Sequence, residues 1–415
     1  MASHHCPNGL GIFLLPAFTL IMIVKPPSFT QLIPDRVANA MWDFSWLYQH
    51  HEGGAFADWD KCLDEAIERG FGAVRIDAFP LIIGKLANPH DEVTFAADPH
   101  ANWGIRDRER KHRVGQELVT FVRKAKEHGL YVILSSWGQG CLEWPDLLAQ
   151  YAPDPLLLAQ AWDKVLQLLG DNDLLSHILY VDLDQEFPYF SPYQPELNRL
   201  GEGKATTENA MDAAGRRDAG PELLWNRAQS AFVRSVMETS IKFLQERHPG
   251  LRFTFSLTSY IAEVRALRPE FFDVLELHFW IHGPQFDNRS GFYRDIVKDR
   301  TNKDGRIYQE RIAATLRSSG YTLEKKLRNQ LAFGKSFADE LGVPLTTTEA
   351  WGPWWHMDGP GFEWDWLKEW CAHGHGTLAR EYGLWSSTPW NYAHPYWDNW
   401  SDIEWYRTVN RAFLG

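Results

Sequence analysis

The chain has 415 residues, 44% hydrophobic and 23% charged, a globular composition long enough for one large domain or two ordinary ones. Its formal net charge of −12, with no run of Lys or Arg, argues against a nucleic-acid partner. The four cysteines are far apart without CxxC or CxxH spacing, which argues against a zinc site and a dense disulfide framework.

Residues 1–39 are predicted to be an extension that precedes the folded domain. An apolar run at 11–24 has about the length of the hydrophobic region of a signal peptide. No Lys or Arg precedes this run and Pro16 interrupts it, so a strand or plug that covers the bottom of the fold is an equal interpretation. The run is also short for a membrane span. The sequence therefore favours a cytoplasmic location over secretion, and no membrane partner is expected.

From residue 40 onward, strand and helix patterns alternate along the chain. Predicted strands lie at 40–46, 73–79, 131–136, 178–183, 252–257, 274–280, 345–348 and 384–387. Predicted helices lie at 58–69, 107–128, 155–169, 221–247, 261–267, 323–341, 364–382 and 401–413. This alternation implies parallel pairing with right-handed crossovers. Since residues 47–52 form no Gly-rich phosphate turn, we expect an α/β fold with a single closed (β/α)8 TIM barrel over 40–415 rather than an open sheet.

Two predicted connections are long, 187–220 after the fourth strand and 281–321 after the sixth. Both follow strands, so both are expected on the face where a barrel binds ligands. They could form the walls of a cleft or contribute to an oligomer contact.

Two glutamates stand at equivalent ends of the fourth and seventh predicted strands. Glu186 closes the stretch VDLDQE and Glu349 closes LTTTE. Paired carboxylates that face a cleft are the minimum equipment for glycoside hydrolysis, in which one is protonated and the other ionised. Arg75 on the second strand could keep one of them ionised, and His278 and the Trp280 N–H could add hydrogen bonds. The alternative is a buried structural ion-pair network.

Tryptophan is abundant, with 20 residues in the chain. Indole rings stack on the C–H faces of sugars, so those that follow strands at the same rim are candidate subsite walls. This set comprises Trp137, Trp280, Trp351, Trp354, Trp355, Trp385 and Trp390.

Four motifs, in order along the chain, resemble those of the retaining glycoside hydrolases of clan A, most nearly the cellulase-like family 5. They are GAVRI at 72–76, YVDLDQEFP at 180–188, LHFW at 277–280 and GVPLTTTE at 342–349. The resemblance implies that Glu186 is the acid/base, that Glu349 is the nucleophile and that Arg75 supports the nucleophile. It also implies that a tryptophan of the eighth strand, Trp385 or Trp390, lines the −1 subsite.

The chain departs from the family pattern in the groups that would hold the sugar. Gln185 replaces the asparagine that contacts the 2-hydroxyl in the family, and Phe187 is inserted before the proline. Trp280 replaces a tyrosine; it can donate a hydrogen bond but cannot accept one. The resemblance therefore implies a catalytic pair more firmly than a particular substrate.

We expect a retaining glycosidase that acts on a β-linked glycoside or oligosaccharide and uses neither a metal nor a cofactor. A non-catalytic carbohydrate-binding protein on the same barrel is the alternative. A metal-dependent barrel enzyme would want His-x-His on the first strand, where Trp42 and Asp43 stand instead. Asp43 is included among the supporting residues of the site. The sugar, the linkage, exo or endo action and the oligomeric state stay open at this point.

Overall fold

The computed structural model describes residues 36–98, 104–152, 154–201, 224–291, 305–354, 356, 358–359 and 363–415. The predicted signal-like run at 11–24 and Trp355 lie outside these residues. The strands are β1 Val37–Asp43, β2 Ala73–Asp77, β3 Val93–Phe95, β4 Arg110–His112, β5 Tyr131–Ser135, β6 Ile178–Asp182, β7 Phe253–Thr254, β8 Leu275–Glu276, β9 Leu345–Thr347 and β10 Ser386–Ser387.

Eight of these strands form one parallel sheet in the order β7-β6-β5-β2-β1-β10-β9-β8. The two ends of this order meet through a parallel bridge between Leu257 and Leu277, where the Leu257 N–H donates to the Glu276 carbonyl at 3.0 Å. The sheet is thus closed on itself, and the predicted (β/α)8 barrel is confirmed. The strands are buried on both faces, as expected for a parallel sheet covered by helices.

Helices lie between the strands. They are α1 Ser45–Tyr48, α2 Trp59–Glu68, α3 Pro80–Lys85, α4 Val114–Glu127, α5 Leu147–Tyr151, α6 Pro155–Gly170, α7 Gln194–Leu200, α8 Arg227–Arg247, α9 Ile261–Ala266, α10 Pro284–Ser290, α11 Gly305–Leu341, α12 Asp365–Ala372 and α13 Ile403–Leu414. Local chemistry explains several starts. Asp58 and Asp154 cap α2 and α6, and Asn226 forms a capping box with Gln229 at the start of α8.

Several boundaries differ from the sequence prediction, among them the end of β1, which stops at Asp43 because Ser45–Tyr48 is helical. The helix predicted at 107–128 begins only at Val114, because Arg110–His112 pairs with Val93–Phe95 in an antiparallel hairpin outside the barrel. The helix predicted at 323–341 begins at Gly305, so the second half of the predicted 281–321 connection is helical. Ala372 continues into a wider helical segment with i→i+5 turns, His373–Ala379. No helix in the described ranges is long and apolar enough to cross a bilayer.

The barrel interior is polar as well as apolar. Arg75, Asp182 and Glu276 are fully buried inside it, and Asn39 donates a hydrogen bond of 2.8 Å to Ser386 Oγ across the floor. Buried charges are stable only when they are paired. The charged residues of the interior therefore need partners among the charged groups at the strand ends.

Several non-glycine residues near the carboxyl ends of the strands adopt a positive φ. This conformation costs a residue with a side chain roughly 1 kcal/mol or more. The residues with positive φ near these ends are Asp43, Phe79, Glu186, Tyr260 and Trp351. The strained backbone of the described chain is therefore concentrated at one face of the barrel.

Candidate active site

The two predicted carboxylates meet at this strained face. Glu349 follows β9 and is fully buried, whereas the side chain of Glu186, in the turn after β6, keeps 9% of its surface exposed. The Glu186 backbone has φ 53°, and its N–H donates to Ser256 Oγ at 3.0 Å. This turn directs the carboxylate back over the barrel mouth, toward the strand that carries Glu349.

One imidazole connects the pair. His278 Nδ1 lies 2.8 Å from Glu186 Oε1 and 3.6 Å from Glu349 Oε2. One carboxylate oxygen of each glutamate and one ring nitrogen of His278 all lie within 4.8 Å of one another. The structure therefore brings together the two acids and the histidine that the sequence placed on three different strands.

The surroundings of Glu349 consist of hydrogen-bond donors. Arg75 Nη1 donates to Glu349 Oε1 at 2.9 Å, and the Gln185 side-chain amide donates to the same oxygen. Arg75 also lies against Asp43, with 3.5 Å between Nη2 and Oδ1. Gln185 therefore contacts the predicted nucleophile itself, in addition to any contact with a sugar hydroxyl that the family pattern suggested.

The surroundings of Glu186 are more open. Trp280 Nε1 donates to Glu186 Oε1 at 3.2 Å, and the Trp280 ring is half-buried. Trp137 donates from its indole nitrogen to Asp43 Oδ2 at 2.9 Å and packs edge-on against Phe190, which is 41% exposed. Trp137 and Trp280 thus lie at the mouth, where the sequence predicted subsite walls.

The other predicted tryptophans have different positions. Trp351 is fully buried between Phe279 and the helical segment at Gly374, so the structure places it in the packing layer behind the strand rather than at the predicted subsite. Trp390 follows β10 and is fully buried, and its indole N–H finds no hydrogen-bond partner among the described residues.

Trp385 does not lie at the mouth of the barrel. It immediately precedes β10, and its ring lies 6.2 Å from Tyr180 and 5.5 Å from the guanidinium of Arg252. Arg252 in turn precedes β7, so this group lies at the amino-terminal ends of parallel strands, opposite the catalytic mouth. The prediction that Trp385 could line the −1 subsite is therefore wrong, and Trp390 is left as the tryptophan of this strand on the correct face.

Burial and ion pairing shift the pKa of each group in the cluster in opposite directions. Burial raises the pKa of Glu349 to about 8, although His278 and Arg75 oppose the shift. Burial alone would lower the pKa of His278, but the Glu349 charge and the hydrogen bond to Glu186 raise it to about 10. Burial also raises the pKa of Asp43, against the pull of Arg75 and the Trp137 N–H. The imidazole is therefore cationic at neutral pH.

The sequence prediction missed one residue of this cluster, Glu276. It is fully buried on β8, its Oε1 lies 3.6 Å from His278 Nε2, and Thr348 Oγ1 donates to the same oxygen. Burial would raise its pKa, but His278 and Arg75 outweigh that effect and keep the pKa below its usual range. The signal was present in the stretch LELHFW, because alternate residues of a strand share a face and Glu276 precedes His278 by two.

Comparison with known proteins places the chain in a family. A sequence profile described as sugar-binding cellulase-like matches residues 39–414. No curated protein sequence matches the chain.

Solved structures resemble the chain to different degrees. A protein of Parabacteroides distasonis ATCC 8503 that carries a provisional glycoside hydrolase name is 26% identical, with a TM-score of 0.76 over 91% of this chain and 93% of that one. An endo-β-1,4-mannanase from Thermotoga petrophila is 11% identical, with a TM-score of 0.47 over 91% of this chain and 77% of that one. A glycoside hydrolase family 5 enzyme from Prevotella bryantii B14, solved with a xyloglucan oligosaccharide, is 12% identical, with a TM-score of 0.45 over 86% of this chain and 85% of that one.

The family match spans nearly the whole described barrel, including both glutamates. The chain belongs to the sugar-binding cellulase-like family.

Proposed function

We propose that the chain is a retaining glycoside hydrolase for a β-linked glycoside or oligosaccharide, with Glu349 as nucleophile and Glu186 as acid/base. The observation that carries the proposal is the close approach of the two carboxylates, whose oxygens lie within 4.8 Å and share His278. Retaining enzymes separate their carboxyl groups by about 5–5.5 Å, whereas inverting enzymes leave ~6.5–9.5 Å for a water molecule. The short approach supports double displacement.

The different surroundings of the two acids support their roles. Glu349 Oε1 accepts from Arg75 and Gln185, which leaves Oε2 as the oxygen that attacks the anomeric carbon. Glu186, nearer to solvent, protonates the leaving oxygen and then removes a proton from the water that releases the sugar. In the first step Glu349 loses its negative charge as it bonds to the anomeric carbon, and Glu186 gains one as it gives its proton to the leaving oxygen. His278 lies beside both carboxylates throughout.

Substitution of each acid tests the roles separately. On aryl β-glycosides with a dinitrophenyl leaving group, which needs no proton, Glu186→Gln should keep its glycosylation rate. On alkyl glycosides the same variant should lose ~10²–10⁴-fold in kcat/KM. Glu349→Gln should lose activity with both substrate types. NMR of the first-formed sugar should show the β anomer.

The reverse pattern, in which Glu349→Gln is rescued by the activated leaving group, would exchange the two roles. An α anomer as first product would remove double displacement altogether.

A non-catalytic sugar-binding protein is the second candidate, and one observation favours it. Glu349 is fully buried, which raises its pKa to about 8, and a carboxyl group that holds its proton is a poor nucleophile. A screen of diverse glycosides and polysaccharides between pH 6 and 9, with calorimetry in parallel, separates the two. Binding without turnover by the wild-type chain across this pH range would establish the binding protein.

A further inference from the structure

The geometry around His278 also fits a metal ion. Nδ1 lies 2.8 Å from Glu186 Oε1 and 3.6 Å from Glu349 Oε2. Ligands that surround Zn²⁺ tetrahedrally at ~2.0–2.1 Å are roughly 3.3–3.5 Å apart, a value between these two distances. Imidazole nitrogen and carboxylate oxygen are both ordinary zinc ligands. The three ligand atoms lie within 4.8 Å of one another, so all three would reach one ion if the two carboxylates moved toward each other.

The Glu349 oxygen that faces His278 is not hydrogen-bonded within the described residues. Glu349 is fully buried, and its Oε2 accepts no hydrogen bond from any residue that the structure describes. Arg75 and Gln185 hold Oε1, so the carboxylate cannot easily turn to satisfy Oε2 in another way. A buried carboxylate oxygen with free lone pairs is directed at the cluster, 3.6 Å from the imidazole.

Glu276 lies on the side of His278 where a metal-bound histidine usually has a supporting carboxylate, although the two residues form no hydrogen bond in the described chain. A histidine that binds a metal through one nitrogen commonly donates its other N–H to a carboxylate, which orients the ring and raises its basicity. His278 Nε2 faces Glu276 Oε1 at 3.6 Å, and Thr348 fixes that oxygen. The ring is thus arranged to present Nδ1 to the two catalytic acids.

The charges around the site leave room for a cation. In the part of the chain that the structure describes, Arg75 and His278 are the cations beside Asp43, Glu186, Glu276 and Glu349, and Asp182 adds a further carboxylate below them. With these acids ionised the cluster carries excess negative charge even when His278 holds its proton. A divalent ion that displaces this proton reduces the excess.

We propose that Glu186, His278 and Glu349 form a binding site for a divalent transition-metal ion, with Zn²⁺ as the best match to the donor set. Such an ion occupies the nucleophile and the acid/base together, so it opposes the two-carboxylate reaction. Metal binding does not depend on the glycosidase function, whereas the resulting inhibition rests on it.

Calorimetric titration of the full-length chain with ZnCl₂ at pH 7.5 tests the binding. We expect one ion per chain, with affinity at least ~100-fold lower in Glu349→Gln and ~10–100-fold lower in Glu276→Gln, which loses only the supporting carboxylate. Titration with Co²⁺ gives a second readout, because a four-coordinate Co²⁺ site absorbs strongly in visible light. Binding should weaken at pH 5.5, since the imidazole must release its proton.

The matched control is His128→Gln. His128 is partly exposed between Asp60 and Asp64, with nitrogen–oxygen distances of 3.2 and 3.0 Å, and is a competing histidine–carboxylate group outside the mouth. Zinc bound equally by Glu349→Gln and lost in His128→Gln would mean an adventitious ion only and would overturn the proposal. If Glu349→Gln fails to fold, Glu186→Gln, at the more exposed edge, must show the same loss.

Inhibition of the glycosidase reaction by Zn²⁺ is tested separately from Zn²⁺ binding. Once a substrate is found, Zn²⁺ should act as a competitive inhibitor, with an inhibition constant that follows the calorimetric affinity across the variants. Full activity at saturating Zn²⁺ would contradict a site on the catalytic pair. If no substrate is found, the calorimetric result alone decides whether the site exists.

Discussion

At the scale of single residues, burial and His278 affect the ionisation of Glu349 most, and Arg75 adds to the effect of His278 by lowering the Glu349 pKa. Arg75 is fully buried and contacts both Glu349 and Asp43, so its charge is shared between two carboxylates. The guanidinium reaches two separate partners because its donors project in a fixed fork. A lysine ammonium at the same place could approach one carboxylate closely but could not hold both.

We therefore expect Arg75→Lys to move the acidic limb of the kcat/KM profile to higher pH. Arg75 lowers the pKa of Glu349, so a weaker contact raises it further, by about one unit if ~1.4 kcal/mol is lost. Activity at pH 6.5 should then fall about tenfold while activity at pH 9.5 changes less. The measurement is kcat/KM against pH on an aryl glycoside.

Arg69→Lys is the matched control for this prediction. Arg69 is also buried and donates to the Trp400 carbonyl at 2.8 Å, but it precedes β2 at the opposite end of the barrel. It should cost stability without a shift of the pH profile. Equal shifts in both variants would show that the profile reports general loosening of the fold.

The residues that could be placed correctly from the sequence are those at the carboxyl ends of predicted strands. Glu186, Glu349, Arg75 and His278 could be brought together because parallel strands place their carboxyl ends on one face. The partner of Gln185 could not be predicted, since the extra methylene that reaches Glu349 has no signature in a local pattern. Glu276 was overlooked although the two-residue period of the strand contained it.

At the scale of elements, the contact between Trp351 and Gly374 decides how closely the last helical layer approaches the barrel. A Cβ built on Gly374 would lie 2.5 Å from the Trp351 ring, well inside contact distance. The wide helical segment His373–Ala379 therefore needs a residue without a side chain where it passes the indole. The role of Trp351 belongs to this packing.

Gly374→Ala should destabilise the fold by roughly 1–3 kcal/mol, because an added methyl group forces the indole or the helix to move. Gly320→Ala is the control, since a Cβ at Gly320 on α11 meets nothing within 4 Å. That change should stabilise the chain by up to about 1 kcal/mol through helix propensity. Urea unfolding of the two variants measures both values, and a neutral Gly374→Ala would refute the packing argument.

Element boundaries show where local patterns fail. The prediction located β2, β5 and β6 to within a residue or two, because each contains a short run of hydrophobic residues bounded by polar ones. Arg110–His112 looked helical by local pattern and became a strand by pairing with residues near 94. Such pairing depends on contacts that a window of neighbouring residues does not contain.

At the scale of the whole molecule, buried acids make stability depend on pH. Burial raises the pKa of Asp77 and of Asp182 to about 7, and that of Glu349 to about 8. His278 reaches about 10 through its carboxylate neighbours, in spite of its burial. All four groups hold protons in the folded chain at pH values where the unfolded chain has released them.

The direction in which stability changes with pH follows from proton linkage. A folded state that binds more protons than the unfolded state loses stability as pH rises through the folded pKa values. The free energy of unfolding should therefore fall between pH 7 and pH 9, by roughly 1.4 kcal/mol per pH unit for each extra proton held. The buried His375 and His394 have pKa values near 3 because burial lowers them, so they titrate outside this window.

Chemical denaturation at pH 7, 8 and 9 measures the slope, and Glu349→Gln provides the comparison. This variant no longer carries the acid that titrates near 8, so its stability should decline less steeply. A wild-type chain that grows more stable over this range would contradict the assignment of buried, protonated acids.

The positive φ angles at Asp43, Phe79, Glu186, Tyr260 and Trp351 carry a consequence for protein engineering. At this face of the barrel, strained backbone conformations direct side chains toward the mouth. Glycine would relieve the strain at Phe79 or Tyr260 but would remove aromatic packing, and at Glu186 it would remove the reacting group. Mutant libraries aimed at thermostability should therefore leave these five positions unchanged and seek stabilising substitutions in the helices around the barrel.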